Sequence, residues 1–219
     1  HEWLNYFFYN GNCLCFPSVL IRKSVYKQIL FENERLAQLH DFEVWVKICL
    51  IKDIFIYNEK LIKFRIRQDN KNAGADTIEN KVRSMFEFSH VLKHFLKIKN
   101  VGEFLKIFPD AKEKYHDIND DELIPFYVAK QAIDVSHVFH QKFALDVLFD
   151  LLQNKRIVAK LNKQCHFDYT DFIKLTGQHD IYHVNHIAYQ EELIKTLKQQ
   201  YEDLKQPFKK LKKTIYGKS

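Results

Sequence analysis

Asp41 heads a run in which Phe42, Trp45, Ile48 and Cys49 recur at helical spacing, so the sequence places a carboxylate at the start of an amphipathic helix. Free N–H groups at a helix start favour the ionised carboxylate, the state a general base needs at neutral pH; they equally favour a plain helix cap. Trp45, one turn along, offers an apolar platform to a ligand ring or serves simply as core. Glu43, two residues after Asp41, points away from it on a helix and reads as a partner of the first-turn dipole, not half of a metal pair. In residues 61–67, Ile62, Phe64 and Ile66 alternate with Lys63, Arg65 and Arg67, as in a strand that buries one row and presents a basic one. Arg65 and Arg67 on that row suit phosphate charge, which planar guanidinium groups bind well. Gly11 permits close backbone approach and Asn12 supplies both a donor and an acceptor; a plain turn explains the pair equally.

Other chemistries find less support. His179, His183 and His186 would share a helix face, as would His90 with His94 and His137 with His140, but Gly177 and Asn185 interrupt the first group and no metalloprotease pattern accompanies any of them. Cys13 and Cys15 stand too close for a zinc knuckle, and the four cysteines suggest no disulfide framework, so they read as buried thiols in a reducing compartment. No glycine-rich phosphate loop, dinucleotide fingerprint or nucleophile motif occurs.

These residues need elements to hold them, and the chain changes texture near the polar stretch 68–77. Residues 1–78 have α/β character, with strands expected over 13–21, 54–57 and 61–67. Residues 79–185 read as helical. Val82, Met85, Phe86, Ser89, Leu92, Phe95 and Leu96 set one apolar face, and further helices are expected over 121–135, 137–153, 155–163 and 169–176, the last ended by Gly177. Residues 186–219 form a terminal amphipathic helix with a basic tail. Ile187, Gln190, Ile194, Leu197, Tyr201 and Leu204 alternate steps of three and four, a heptad seam that continues through Phe208, Leu211 and Ile215, with a kink expected at Pro207.

Four segments in order, residues 11–23, 31–36, 39–45 and 61–67, resemble the second half of bacterial family 2 glycosyltransferases. The resemblance covers roughly the first third of the chain. It implies the acceptor-side remnant of a GT-A domain, a small mixed sheet with helices, followed by an all-α region that makes the chain predominantly helical. It further implies an inverting transfer from a nucleotide sugar to a saccharide acceptor in surface polysaccharide or lipopolysaccharide synthesis. Asp41 would be the general base, Trp45 a platform for a sugar ring, Gly11 and Asn12 part of the pocket lining, and Arg65 and Arg67 phosphate contacts. Relatives carry a histidine where Arg67 stands, and a glycine and an aromatic where this chain has Leu30 and Phe31. The acidic triplet that holds a divalent cation is missing, so magnesium or manganese is expected only in a complete enzyme, the chain being its second half and inactive alone.

With 46% hydrophobic residues, five glycines and four prolines, the sequence is that of an ordered globular protein. Six lysines after residue 204, with no acid among them, equal the net charge of +6, so the remainder is near neutral. Lys205, Lys209, Lys210, Lys212 and Lys213, interleaved with Phe208, Leu211 and Ile215, suit an anionic membrane surface or a solvated helix end, while no RNA- or DNA-binding signature supports nucleic acid. Ile187, Ile194, Leu197, Tyr201 and Leu204 suit self-association. No run is apolar enough to span a bilayer, and the expected location is the cytoplasm, peripheral at the inner membrane. The competing reading is a non-enzymatic helical module for interaction or membrane docking.

Overall fold

A computed structural model describes residues 1–29, 33–63, 65, 76–115 and 117–217, without the side chains of 212, 213 and 216. The described residues form α1 (Glu2–Asn10), α2 (Lys23–Gln28), α3 (His40–Cys49), α4 (Ile78–Val91), α5 (Val101–Ile107), α6 (Ala111–Lys114), α7 (Ile124–Ile133), α8 (Val138–Leu151), α9 (Lys155–Cys165), α10 (Tyr169–Gln178) and α11 (Val184–Tyr216). Short 3-10 turns stand at Phe16–Ser18, Leu92–Lys97 and Asp121–Leu123. The chain divides into two compact units, His1–His179 and Asp180–Ser219.

No strand occurs among the described residues, which corrects the expected α/β fold and the GT-A remnant with it. Pro17 sits in a 3-10 turn instead of a strand, and residues 54–63 run as coil with Phe55, Ile56, Tyr57, Leu61 and Ile62 exposed. Alternation specifies which face a strand would bury, but a strand also needs a neighbour to take its N–H and C=O groups. Among the described residues no such neighbour exists. The described residues therefore do not form the acceptor-side half of a GT-A domain.

The first unit is organised around a helix apolar on every side. α7 buries Ile124, Phe126, Tyr127, Val128, Ala129, Ala132 and Ile133, the pattern of a helix surrounded by protein, and packs most extensively on α8. Pro125 falls in its first turn, where a missing N–H costs nothing. α1 contributes Leu4, Phe7 and Phe8, spaced three and four apart and fully buried. Phe7 meets Phe42 edge-on at 5.6 Å, and Phe8 meets Phe95 at 5.0 Å and Phe108 at 4.9 Å. Each ring so buried stabilises the fold by about 1.5–3 kcal/mol, with edge contacts adding about 0.5–1.5.

Caps fix where the helices start. Thr77 accepts from Asn80 N–H at 3.1 Å, Asn100 from Glu103 N–H at 2.9 Å, and Asp168 forms a reciprocal capping box with Asp171. Gly177 lies inside α10, which runs one residue past it and therefore does not end there. The expected apolar face of α4 is buried only in its later part, where Ser89 leads on to Leu92 and Phe95. Glu87, Ser89 and Val91 are buried while Val82, Met85 and Phe86 are exposed.

Gly11 closes α1 at φ 79° and ψ −158°, a region that essentially only glycine enters. A Cβ added there would stand 3.1 Å from Phe88. Gly11→Ala is expected to lower stability by about 1–3 kcal/mol, measured by urea denaturation. A change within about 0.5 kcal/mol, the scatter of neutral surface substitutions, would show that the turn relaxes without strain.

Candidate functional site

The sequence-nominated residues fall into three groups. Asp41 lies half-buried in the first turn of α3, where Phe42 N–H donates to one carboxylate oxygen at 2.7 Å and the Asn12 side-chain amide to the other at 3.1 Å. Asn12 in turn accepts from Leu14 N–H at 3.0 Å, and Gly11 turns the chain beneath Phe88. The structure thus brings Gly11, Asn12 and Asp41 together as a clasp between the end of α1 and the start of α3. Trp45 is apart from them, buried in the core with its ring centroid 5.7 Å from Phe16 and its indole N–H without a partner. Arg65 is exposed on coil, and Arg67 lies outside the described residues.

Of the two carboxylates that organise this end of the molecule, the sequence reading took Glu43 only as a first-turn dipole partner and passed over Glu87. Glu43 is buried and receives the Asn33 amide at 2.8 Å, the Lys47 ammonium at 2.8 Å and His94 Nε2–H at 2.8 Å. Burial alone would push its carboxyl up, but the hydrogen bonds from His94, Lys47 and Asn33, with the Lys47 charge, outweigh it and hold the pKa at about 2. Glu87, from α4, takes three backbone donors: Ala37 N–H at 2.8 Å on one oxygen, Gln38 N–H at 2.8 Å and Leu39 N–H at 2.7 Å on the other. Leu39 is the N-cap residue of α3, so Glu87 fixes the strap that leads into that helix. The available signal was position: Glu87 stands four and eight residues before Val91 and Phe95, on the stripe that is buried.

Of the histidine groups, the 179–186 group separates while His137 and His140 stack with ring centroids 5.8 Å apart. His179 follows α10, His183 precedes α11 in a left-handed conformation, and His186 lies within α11, so they share no helix face. His140 is fully buried and donates from Nε2 to the Phe8 carbonyl at 2.6 Å. Among the described residues no three His, Cys, Asp or Glu side chains group as metal ligands. Among the described residues the buried carboxylates Glu43 and Glu87 are spent on backbone and side-chain donors. The reading as a family 2 nucleotide-sugar transferase, or as part of one, is overturned with the fold.

The second unit offers a surface instead. Asp180 accepts from Val184 N–H and Asn185 N–H, both at 2.8 Å, and sets the start of α11. The helix then runs on past Pro207, which lies inside it. Ile187, Ile194, Leu197, Tyr201, Leu204, Phe208, Leu211 and Ile215 are exposed along it, each at half or more of its full accessible surface. Lys205 folds back over the Tyr201 ring, its ammonium 4.1 Å from the centroid, while Lys209 and Lys210 are exposed. No helix among the described residues is long and apolar enough to cross a membrane.

Set beside known proteins, the chain matches no protein family, no curated protein and no solved structure.

Proposed function

We propose that the chain is a non-enzymatic helical docking module that binds an anionic membrane surface through α11. One observation carries the reading: a row of exposed apolar side chains ending in Phe208, Leu211 and Ile215, set among Lys205, Lys209, Lys210, Lys212 and Lys213 with no acid after Asp203. A helix of this make-up lies in the interface, its apolar row among the acyl chains and its ammonium groups at the lipid phosphates. Each lysine near such a surface contributes about 1 kcal/mol, screened by salt. Parallel pairing of two copies along the same seam would instead bring ten lysines side by side.

Cosedimentation with vesicles of phosphatidylcholine alone and with added phosphatidylserine tests this. The intact chain is expected to bind the anionic vesicles at low salt and to release them at high salt, while a chain ending at Gln206 stays in solution. Equal binding by the two chains, or none by either at low salt, would overturn the proposal. A concentration-dependent dimer that ignores vesicles would assign the seam to a second copy.

A further inference from the structure

The end of the first unit opposite in sequence to the Asp41 clasp contains an open cleft of about 950 Å³ that the docking function does not use. Three stretches make it: the turn after α6 with Lys114, Tyr115 and Asp117, the side of α7 with Phe126, Tyr127 and Lys130, and the segment from the end of α9 through α10. Its floor is aromatic. Tyr115 and Tyr127 lie 5.4 Å apart and Phe126 and Phe167 5.1 Å apart by ring centroid. Its sides carry four lysines and two aspartates.

Pairing divides those charges unequally. Lys114 is bonded to Asp134, and Lys174 to Asp171 at 3.5 Å. Asp171 also accepts from Asp168 N–H at 3.1 Å, so its charge is taken up locally. Among the described residues Lys130 and Lys163 form no ion pair, and Asp117 forms none either. The Tyr115 hydroxyl is buried and has no hydrogen-bond partner, so the ring and not the hydroxyl is what the cleft offers a ligand. Burial raises the pKa of that phenol, and the neighbouring Asp134 adds to the rise, so it stays neutral. The carbonyl end of α9, which would repel an anion, is closed by His166 in the left-handed conformation, with the N–H groups of His166 and Phe167 both turned to the Leu161 carbonyl.

We infer that this cleft binds a mononucleotide-like phosphate ester, with its phosphate on Lys130 and Lys163, its planar ring against the Tyr115 and Tyr127 wall, and a sugar hydroxyl donating to Asp117. The charge pattern selects the ligand. Two ammonium groups without an ion-pair partner suit an anion, the ring wall suits a flat apolar body, and the Asp117 carboxylate suits a hydroxyl donor. A small dianion such as inorganic phosphate satisfies the first requirement and neither of the others. A volume of 950 Å³ lies within the range of clefts that enclose ligands of nucleotide size.

Calorimetry on the full chain with adenosine monophosphate, adenosine and inorganic phosphate tests the inference. Adenosine monophosphate is expected to bind about tenfold or more tighter than either of the others, since each half of the site contributes on the order of 1.4 kcal/mol or more. Lys130→Ala with Lys163→Ala should remove that advantage, lowering the affinity for adenosine monophosphate to that for adenosine. Tyr115→Phe, which keeps the ring wall, should leave adenosine monophosphate binding within about twofold. Equal affinity for all three probes, no saturable binding at millimolar concentration, or unchanged affinity in the lysine double variant would overturn it. Vesicle binding by α11 is read separately, so either conclusion can fail without the other.

Discussion

Replacing Glu87 with leucine is expected to lower the stability of the first unit by about 3–5 kcal/mol, the largest single-site loss in this fold. The substitution keeps the helix and much of the volume, but it leaves the N–H groups of Ala37, Gln38 and Leu39 without their acceptor. Hydrogen bonds to a charged group are each worth about 1.5–3 kcal/mol, and a donor left unsatisfied costs about 1–3. Water entering the strap recovers part of that, which is why the sum is not the full threefold penalty. Glu87→Gln keeps an acceptor but places an amide donor against backbone donors, so a loss of about half that size should follow. Urea denaturation of both variants measures this. A leucine variant within about 1 kcal/mol of the parent would mean that the strap is held by other contacts.

Acid should unfold the chain in two overlapping stages, the first governed by His140. Burial depresses its pKa from the ordinary 6.5 to about 4, with the neighbouring His137 adding to the effect and the bond to the Phe8 carbonyl opposing it. The unfolded chain takes up this proton below pH 6.5 while the folded chain does not until about pH 4. The contribution is therefore complete above about 6.5 and declines as the pH falls to 4, by on the order of 3 kcal/mol. His90, also depressed by burial, acts in the same direction. Glu43 governs the second stage: with its carboxyl held at about 2 instead of 4.5, its contribution is present above 4.5 and is lost as the pH falls through 2. Urea midpoints between pH 7 and 4 should fall steeply for the parent and much less for His140→Phe, which cannot titrate. Parallel curves for the two proteins would remove His140 from the acid response.

The helices from α7 onward were legible because periodicity and caps are local. Pro125 in a first turn, Asp168 with Asp171 and the seam from Ile187 to Ile215 each announce an element from a few neighbouring residues. The missing sheet was not legible, since the alternation around Arg65 says which face a strand would bury and nothing of whether another strand is present. The first half of the inward face of α4 was misread for a related reason. Met85 and Phe86 are exposed while Glu87 is buried, and its three backbone bonds exist only once the 37–39 strap lies beside it. At the clasp, sequence identified Gly11, Asn12 and Asp41 as notable without showing that they meet. The cleft left no spacing to read, because Lys130 and Lys163 come from different helices.

The docking of α1 also sets a schedule for synthesis. Phe8 bonds to His140, 132 positions later, and Asn5 to the Ile107 carbonyl, 102 positions later. At roughly 5–20 residues per second, a ribosome completes His140 about 7–26 s after Phe8. Phe7 meets Phe42 early in that interval, but Phe8 lacks Phe95, Phe108 and His140 for most of it, and large apolar residues on one helical face of a nascent chain are what chaperones that screen emerging polypeptides bind. α1 is thus fixed in place only after residues more than a hundred positions downstream have been made.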